Sequence, residues 1–257
     1  MSNKKNEESF KQHVDTSIII FSLITIIFFL IKAFVFYSSV KSSDTKINPL
    51  KTVSTFAFVV LFFMFSYITN ISATQEQIIC GKRNYKIAFY ATVIPFTFIY
   101  SIGIFIITIF PGWNRCFSNT IGSYLIDLCG LKSLIADKLK YDETSVKQPD
   151  IRQLYQKSPQ VLLYEIVLDA DENIEQSSKS QLQEIGIDFN VHGDENQKLL
   201  KQYIYLKETI GEGIWHYLFG IITILVSYNT ILAENCNAFS VENDEFRRYL
   251  NDKFEKN

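Results

Sequence analysis

The sequence predicts a multi-pass α-helical membrane protein with four transmembrane helices and a small α/β extramembrane domain between helices three and four. Hydrophobic residues make up 47% of the 257 residues and charged residues only 20%. The apolar residues are concentrated in four runs, each of the ~20 residues that a helix rising 1.5 Å per residue needs to cross a ~30 Å hydrocarbon core. About 100 residues of mixed composition separate the third run from the fourth, which is enough for a small domain.

The four apolar runs are predicted to be helices because backbone groups inside a bilayer must be hydrogen-bonded within their own segment. Pro95 lies in the first third of the third run, so we expect a kink there. The runs cover residues 17–37, 53–71, 87–110 and 213–232.

The few ionisable residues in these runs are expected at the membrane boundary. Lys32 lies about one turn from the end of the first run, where its side chain can extend to the lipid headgroups. Glu212 lies at the edge of the fourth run. His216 lies between Trp215 and Tyr217, and we assign it to an interfacial aromatic belt rather than to a proton relay. Since no charge lies near the middle of a run, the sequence argues against coupled transport.

The predicted organisation has five parts. A polar N-terminal tail (1–16) precedes a three-helix membrane region (17–110). An extramembrane α/β loop domain (111–209), a fourth membrane helix (210–233) and a charged C-terminal tail (234–257) follow.

The distribution of basic residues predicts that both termini are cytoplasmic. Four crossings place the termini on one side, and the short flanks on that side carry ten basic residues against three on the other. The ten are Lys4, Lys5, Lys11, Lys82, Arg83, Lys86, Arg247, Arg248, Lys253 and Lys256, and the three are Lys41, Lys46 and Lys51.

The loop domain contains both helical and strand-like patterns. Ser118 or Asn119 can cap a helix with one apolar face, which either lies in the bilayer interface or packs on its own domain. Residues 160–168 fit a strand or a helix, residues 185–191 alternate as in a half-buried strand, and residues 195–209 fit a helix. The apolar face comprises Ile121, Tyr124, Leu125, Leu128, Leu131, Ile135 and Leu139.

The sequence contains no pattern typical of catalysis, metal binding or nucleic-acid binding. A formal net charge of −2 argues against a nucleic-acid partner. His13, His192 and His216 are isolated, and no phosphate-binding or nucleophile motif occurs. We therefore predict no enzyme activity, no cofactor and no metal site. Cys116 and Cys129 either form a disulfide or remain as free buried thiols.

The junction after the third run is the most distinctive segment, reading Phe110-Pro111-Gly112-Trp113, three residues, then Phe117-Ser118-Asn119-Thr120-Ile121-Gly122. Pro-Gly is expected to end the membrane helix, Trp113 to anchor at headgroup level, and Ser118 or Asn119 to start a new helix. This junction resembles that of a membrane protein family of the nucleocytoplasmic large DNA (giant) viruses. The resemblance covers about residues 110–131 and the helix layout. It implies a protein of the virion inner membrane, associated with the minor capsid layer, without catalytic residues.

These features predict a non-enzymatic structural role, and the resemblance implies that the protein links the virion inner membrane to the minor capsid layer. The expected partners are the lipid bilayer and other capsid or membrane-complex proteins, in a homo- or hetero-oligomer. The alternatives are a small channel or transporter subunit and an accessory subunit of a protist mitochondrial inner-membrane complex. A candidate partner face in the C-terminal tail comprises Phe239, Phe246, Tyr249, Leu250 and Phe254.

Overall fold

The computed structural model describes residues 2–41, 47–75, 80–128, 164 and 193–233. Its regular elements within these ranges are helices. They are α1 (Ser2–Lys41), α2 (Ile47–Thr74), α3 (Tyr85–Pro95), a π-helical segment (Phe96–Ser101), α4 (Ile102–Ile109), α5 (Pro111–Phe117), a second π-helical segment (Ser118–Gly122), α6 (Ser123–Leu128) and α7 (Gly193–Ala233).

Among the residues that the structure describes, four helical segments are long and apolar enough to cross a membrane, which agrees with the predicted number of spans. They are Glu8–Val35, Val53–Thr74, Tyr85–Ile109 and Lys201–Ala233. Two differ in extent from the sequence-based estimate. Residues 2–16, predicted as a polar tail, form the first turns of α1, and the fourth span starts at Lys201 because α7 is one continuous helix from Gly193.

The third span begins with a side-chain cap and continues through its proline. Asn84 accepts hydrogen bonds from the backbone N–H groups of Lys86 and Ile87, which have no partner within the helix. Pro95 provides no N–H, and the backbone directly after it is π-helical over Phe96–Ser101. The predicted irregularity at Pro95 is therefore a change of helix type, after which α4 begins.

The described chain divides into two compact units. Unit 1 contains Met1–Ile24, Val59–Phe105 and Tyr217–Asn257, and unit 2 contains Thr25–Phe58 and Ile106–His216.

Unit 1 has an aromatic core. The ring of Phe62 lies with its centroid 4.5 Å from that of Tyr100 and 4.7 Å from that of Phe21, and all three side chains are almost fully buried. Each ring comes from a different helix. Because lipid is as apolar as these side chains, close packing is the main source of stability from such contacts inside a membrane.

Polar side chains add interhelical hydrogen bonds to unit 1. The hydroxyls of Ser17 and Tyr228 lie 2.7 Å apart, and the amide of Asn70 donates to the Thr92 hydroxyl at 2.8 Å. Many large apolar side chains on the same helices, such as Leu23 and Phe98, are exposed. An arrangement with polar groups inside and apolar groups outside is expected of helices surrounded by lipid.

Unit 2 is organised around the first part of α7. None of the residues 201–216 is exposed, although the sequence there includes Lys207, Glu212 and His216. This part of the helix is therefore enclosed, and its polar side chains must find partners within the protein.

Most of the predicted α/β domain lies outside the described residues. This applies to the segments at 160–168 and 185–191, and to Leu131, Ile135 and Leu139 of the predicted apolar face. The described part of the domain contains helices and no strand, and the helix predicted at 195–209 is confirmed as part of α7.

We expect protease protection to show both termini on one face of the membrane and the segment between α6 and α7 on the other. Four spans of alternating direction require this arrangement. The measurement is digestion of the full chain in sealed vesicles, with an epitope tag at each terminus and one at residue 145. Loss of the internal tag together with a terminal tag from the same side would contradict four crossings.

Candidate functional site: a buried charge cluster and a helix junction

Unit 2 contains a cluster of polar side chains from three helices. Lys32 comes from α1, Thr55 from α2, and Glu212 and His216 from α7. Glu212 and His216 are four residues apart and therefore lie on the same side of their helix. We call these four residues the charge cluster.

Lys32 forms an ion pair with Glu212 that is saturated with hydrogen bonds. The Lys32 ammonium donates to Glu212 Oε1 at 2.7 Å, to Glu212 Oε2 at 2.8 Å and to Thr55 Oγ1 at 2.8 Å. Thr55 in turn donates to Glu212 Oε1 at 2.7 Å. All three ammonium hydrogens thus have an acceptor, and the two opposite charges cancel within one contact.

The ion pair is shielded from the surroundings. The side chain of Lys32 is 1% exposed and that of Glu212 is 16% exposed. Burying either charge alone would be costly, and the paired charges are tolerated because their hydrogen bonds are nearly all made inside the protein.

His216 lies beside the carboxylate and between two aromatic rings. Its Nε2 is 3.8 Å from Glu212 Oε1, which is an electrostatic contact rather than a hydrogen bond. The imidazole centroid is 5.3 Å from the Phe29 ring and 5.2 Å from the Phe58 ring. The side chain is 1% exposed, so His216 is enclosed by the protein instead of facing the lipid headgroups, as the interfacial aromatic belt predicted for it requires.

The expectation for Lys32 is also wrong. Its ammonium does not extend to the headgroups, because a carboxylate and a hydroxyl are within hydrogen-bonding distance inside the protein. The sequence carried a signal for this pair, since Lys32 and Glu212 have opposite charges and lie near the ends of apolar runs that antiparallel helices bring to the same level.

The helix junction predicted from the sequence lies in the same unit. Phe110 interrupts the helix with a backbone of φ −112° and ψ 78°, and α5 begins at once with Pro111. Proline suits a first helical position because the missing N–H has no partner there anyway. The prediction that Pro-Gly ends the membrane helix is confirmed. The prediction that Ser118 or Asn119 starts the next helix is wrong, since both lie in the π-helical segment that continues α5.

Aromatic residues of the junction pack on α7. The Trp215 ring lies 6.2 Å from that of Trp113 and 4.9 Å from that of Phe117, and Trp215 Nε1 donates to the Trp113 carbonyl at 3.1 Å. Trp113 thus has a partner in the protein as well as an exposed surface, so a role as headgroup anchor remains a prediction.

Small residues of the junction allow close approach to α7. A Cβ atom built on Gly211 would lie 2.8 Å from the Cβ and the backbone N of Ser118, and one on Gly122 would lie 2.8 Å from the Lys207 carbonyl oxygen. Asn119 Oδ1 accepts a hydrogen bond from Lys207 at 2.9 Å. Thr120 donates to the Cys116 carbonyl of its own helix.

The described part of the predicted apolar face is exposed in this structure, so it does not pack on the described residues, and its position in the bilayer interface stays a prediction. Leu128 is 67% exposed and Tyr124 is 63% exposed, and Ile121 and Leu125 are also exposed. The buried residues are instead Ser118, Gly122, Ser123 and Ile126. The physical reason is that contact with α7 uses the small and polar side, which permits the closest backbone approach.

Two further sequence predictions concern the cysteines and the C-terminal tail. Cys116 is a free, exposed thiol, so it is neither paired with Cys129 nor buried. The candidate partner face, Phe239, Phe246, Tyr249, Leu250 and Phe254, lies outside the described residues.

Substitutions of Trp215 should distinguish its packing from its hydrogen bond. We expect Trp215→Phe to cost about 1 kcal/mol, the value of one hydrogen bond. Trp215→Ala should cost about 3 kcal/mol because it also removes the ring between Trp113 and Phe117. Thermal unfolding of the full chain in detergent measures both. Equal losses for the two variants would show that the ring contacts contribute little.

Comparison with known proteins provides no family assignment: no family model matches the chain, and no similar curated protein or solved structure was found.

Proposed function

We propose that this protein is a non-enzymatic structural membrane protein that anchors a large assembly to a bilayer. The observation that carries the proposal is the saturated ion pair of the charge cluster. It joins α1, α2 and α7 through contacts that leave no ammonium hydrogen for a substrate.

Transport would require a different arrangement. A conducting or carrier site binds its ion loosely enough to release it, and its polar groups must exchange partners as the ion passes. Lys32, Thr55 and Glu212 are already bonded to one another at 2.7–2.8 Å. A closed, neutral network of this kind favours a fixed connection between helices.

The finer proposal places the protein in the inner membrane of a giant-virus particle, where it links the membrane to the minor capsid layer. It is supported by the resemblance at the junction. The residues that carry the resemblance include Trp113, Phe117, Ser118 and Gly122, which also pack on α7. Because packing on α7 accounts for these residues without a bound substrate, they fit a structural protein.

A channel or transporter subunit is the second candidate function. It is favoured by one observation, which is that Lys32, Glu212 and His216 lie within candidate membrane spans. Ionisable groups at such positions commonly belong to ion or proton pathways.

Flux through liposomes distinguishes the two candidates. For the purified full chain, the structural proposal predicts ion and solute fluxes equal to those of protein-free vesicles. Selective flux that is abolished by Thr92→Val or Glu212→Gln would overturn it. Thr97→Val is the matched control, because Thr97 is exposed on the same span whereas Thr92 is buried.

Mild detergent extraction from purified particles tests the assembly. We expect the chain in the membrane fraction together with capsid-layer proteins. Phe246→Ser combined with Leu250→Ser should release these proteins if the C-terminal tail binds them, whereas Lys253→Ser, a polar position in the same tail, should not. Absence of the chain from particles would defeat the viral proposal and leave the structural one to be tested by flux.

A further inference from the structure

The connection between α2 and α3 carries three basic side chains close together in the sequence. Lys82, Arg83 and Lys86 are all exposed, and residues 80–110 contain no aspartate or glutamate. Neither Lys82 nor Arg83 forms an ion pair with a carboxylate in the described part of the chain. The positive charge of this segment is therefore not neutralised by its own sequence. We call these three residues the basic patch.

The backbone around the basic patch is fixed by hydrogen bonds. Gly81 has a φ of 64°, a left-handed conformation that glycine adopts without strain. The backbone N–H of Asn84 donates to the Thr74 hydroxyl at 2.9 Å, and the Asn84 side chain accepts from the N–H groups of Lys86 and Ile87. These contacts join the end of α2 to the start of α3, so the three basic side chains project from a turn of defined geometry.

One hydrogen bond orients the Arg83 side chain without using its outer nitrogens. Arg83 Nε donates to Gln75 Oε1 at 3.2 Å. The two terminal nitrogens, Nη1 and Nη2, have no hydrogen-bond acceptor among the described residues. They present N–H donors in one plane, which is the geometry that binds two oxygens of one phosphate group. Gln75 thus positions Arg83 for an oxyanion without neutralising its charge.

The basic patch lies at the level of the lipid headgroups. The third of the four candidate membrane spans starts at Tyr85, between Arg83 and Lys86 in the sequence. Tyr85, Phe89 and Tyr90 are exposed, and aromatic side chains are enriched where the hydrocarbon core meets the headgroups. A helix that begins to cross the bilayer at Tyr85 places the neighbouring cations among the phosphate groups of the lipids.

We propose that the basic patch binds the headgroup phosphate of an anionic phospholipid, with Arg83 as the principal contact and Lys82 and Lys86 adding positive charge. Phosphate oxygens accept charge-assisted hydrogen bonds from guanidinium and ammonium groups. A lipid is the expected source of the phosphate, because the patch lies in the headgroup layer and not in a pocket that faces the solution. This site goes beyond an anchoring role, since it selects which lipid surrounds the chain.

Native mass spectrometry of the full chain, released from detergent micelles, measures the lipids that stay bound. The chain is titrated with phosphatidylglycerol and, in parallel, with phosphatidylcholine of the same acyl chains. We expect the wild type to bind phosphatidylglycerol about tenfold or more tightly than phosphatidylcholine. The triple variant Lys82→Gln, Arg83→Gln, Lys86→Gln should lose this preference, because each charge near an anionic surface contributes about fivefold in affinity.

Two further variants separate orientation from charge and provide a control. Gln75→Ala keeps every charge but removes the hydrogen bond that orients Arg83, so the preference should fall by about two- to fivefold. Arg115→Gln is the matched control, because Arg115 is an exposed arginine beyond the other end of the same span. Its loss should leave the preference unchanged.

The outcomes decide whether the patch is a lipid site. Equal affinity of the wild type for the two lipids would overturn the proposal, and so would a preference that survives the triple variant or that Arg115→Gln reduces equally. If the triple variant unfolds at a lower temperature in lipid-free micelles, Lys82→Gln alone should still lower the affinity for phosphatidylglycerol about fivefold. An unchanged affinity in that variant would also count against the site.

Thermal unfolding in micelles distinguishes a lipid from a free anion. We expect phosphatidylglycerol to raise the unfolding temperature of the wild type but not that of the triple variant, because only the wild type binds it tightly. Inorganic phosphate should stabilise neither protein. Equal stabilisation of the wild type by inorganic phosphate would assign the patch to a free anion and overturn the lipid assignment.

Discussion

Removing one charge of the Lys32–Glu212 pair should destabilise the protein far more than removing both. Glu212→Gln leaves a buried ammonium without its carboxylate, and Lys32→Met leaves the Glu212 carboxylate beside Thr55 and His216 but without its ammonium. Loss of one partner of a buried pair typically costs about 3–5 kcal/mol, whereas replacing both with uncharged residues of similar size is often close to neutral. We expect about 3 kcal/mol for each single variant and about 1 kcal/mol or less for the double variant.

The measurement is a double-mutant cycle on unfolding of the purified full chain in mixed detergent micelles. Lys11→Met is the matched control, since Lys11 is an exposed lysine on the same helix. If the stability losses of the two single variants simply add in the double variant, the two charges are not coupled. The charge reversal, Lys32→Glu with Glu212→Lys, should recover part of the stability lost in either reversed single variant.

The second large effect is expected at the contact between the junction and α7. Gly211→Ala would place a methyl group 2.8 Å from the backbone N of Ser118, and backbone atoms cannot move aside as the end of a flexible side chain can. Alanine normally stabilises a helix interior by about 0.5–1 kcal/mol relative to glycine. Overpacking costs about 1–3 kcal/mol, so the clash should prevail and the net effect should be destabilising.

Gly112→Ala is the matched control for this substitution. Gly112 lies in α5 of the same junction, and a Cβ atom there would meet nothing within 4 Å. We expect it to be neutral or slightly stabilising, because the gain in helix propensity is unopposed. Thermal unfolding compares the two variants directly. A Gly211→Ala protein as stable as the Gly112→Ala protein would show that the two helices separate at little cost.

The residues of the charge cluster can be located from the sequence, but their partners cannot. The sequence predicts Lys32, Glu212 and His216 at the membrane boundary, because a single apolar run offers an isolated polar side chain no partner except the headgroups. The partners of Lys32 lie 23 and 180 residues away in the chain. Only helix packing brings them within 3 Å.

At the junction, the sequence does not predict which face of the helix is buried. The Pro-Gly pair predicts the helix boundary that the structure has at Phe110 and Pro111. The direction of the apolar stripe from Ile121 to Leu128 did not follow, because helical periodicity identifies two faces without saying which one is buried. Ser118 and Gly122 are buried against α7 in this protein.

The sequence by itself determined that the described part of the chain has four helices long and apolar enough to cross a membrane, since run length and hydropathy are local properties and a spanning helix must satisfy its own backbone hydrogen bonds. It also predicted the helix boundary at Phe110 and Pro111, where Pro-Gly is a local signal for the end of a helix. The tertiary structure decided which side of each helix faces inward and which polar groups meet. Those choices depend on distances between residues far apart in the chain, and on the large cost of leaving a buried charge such as Lys32 without a partner.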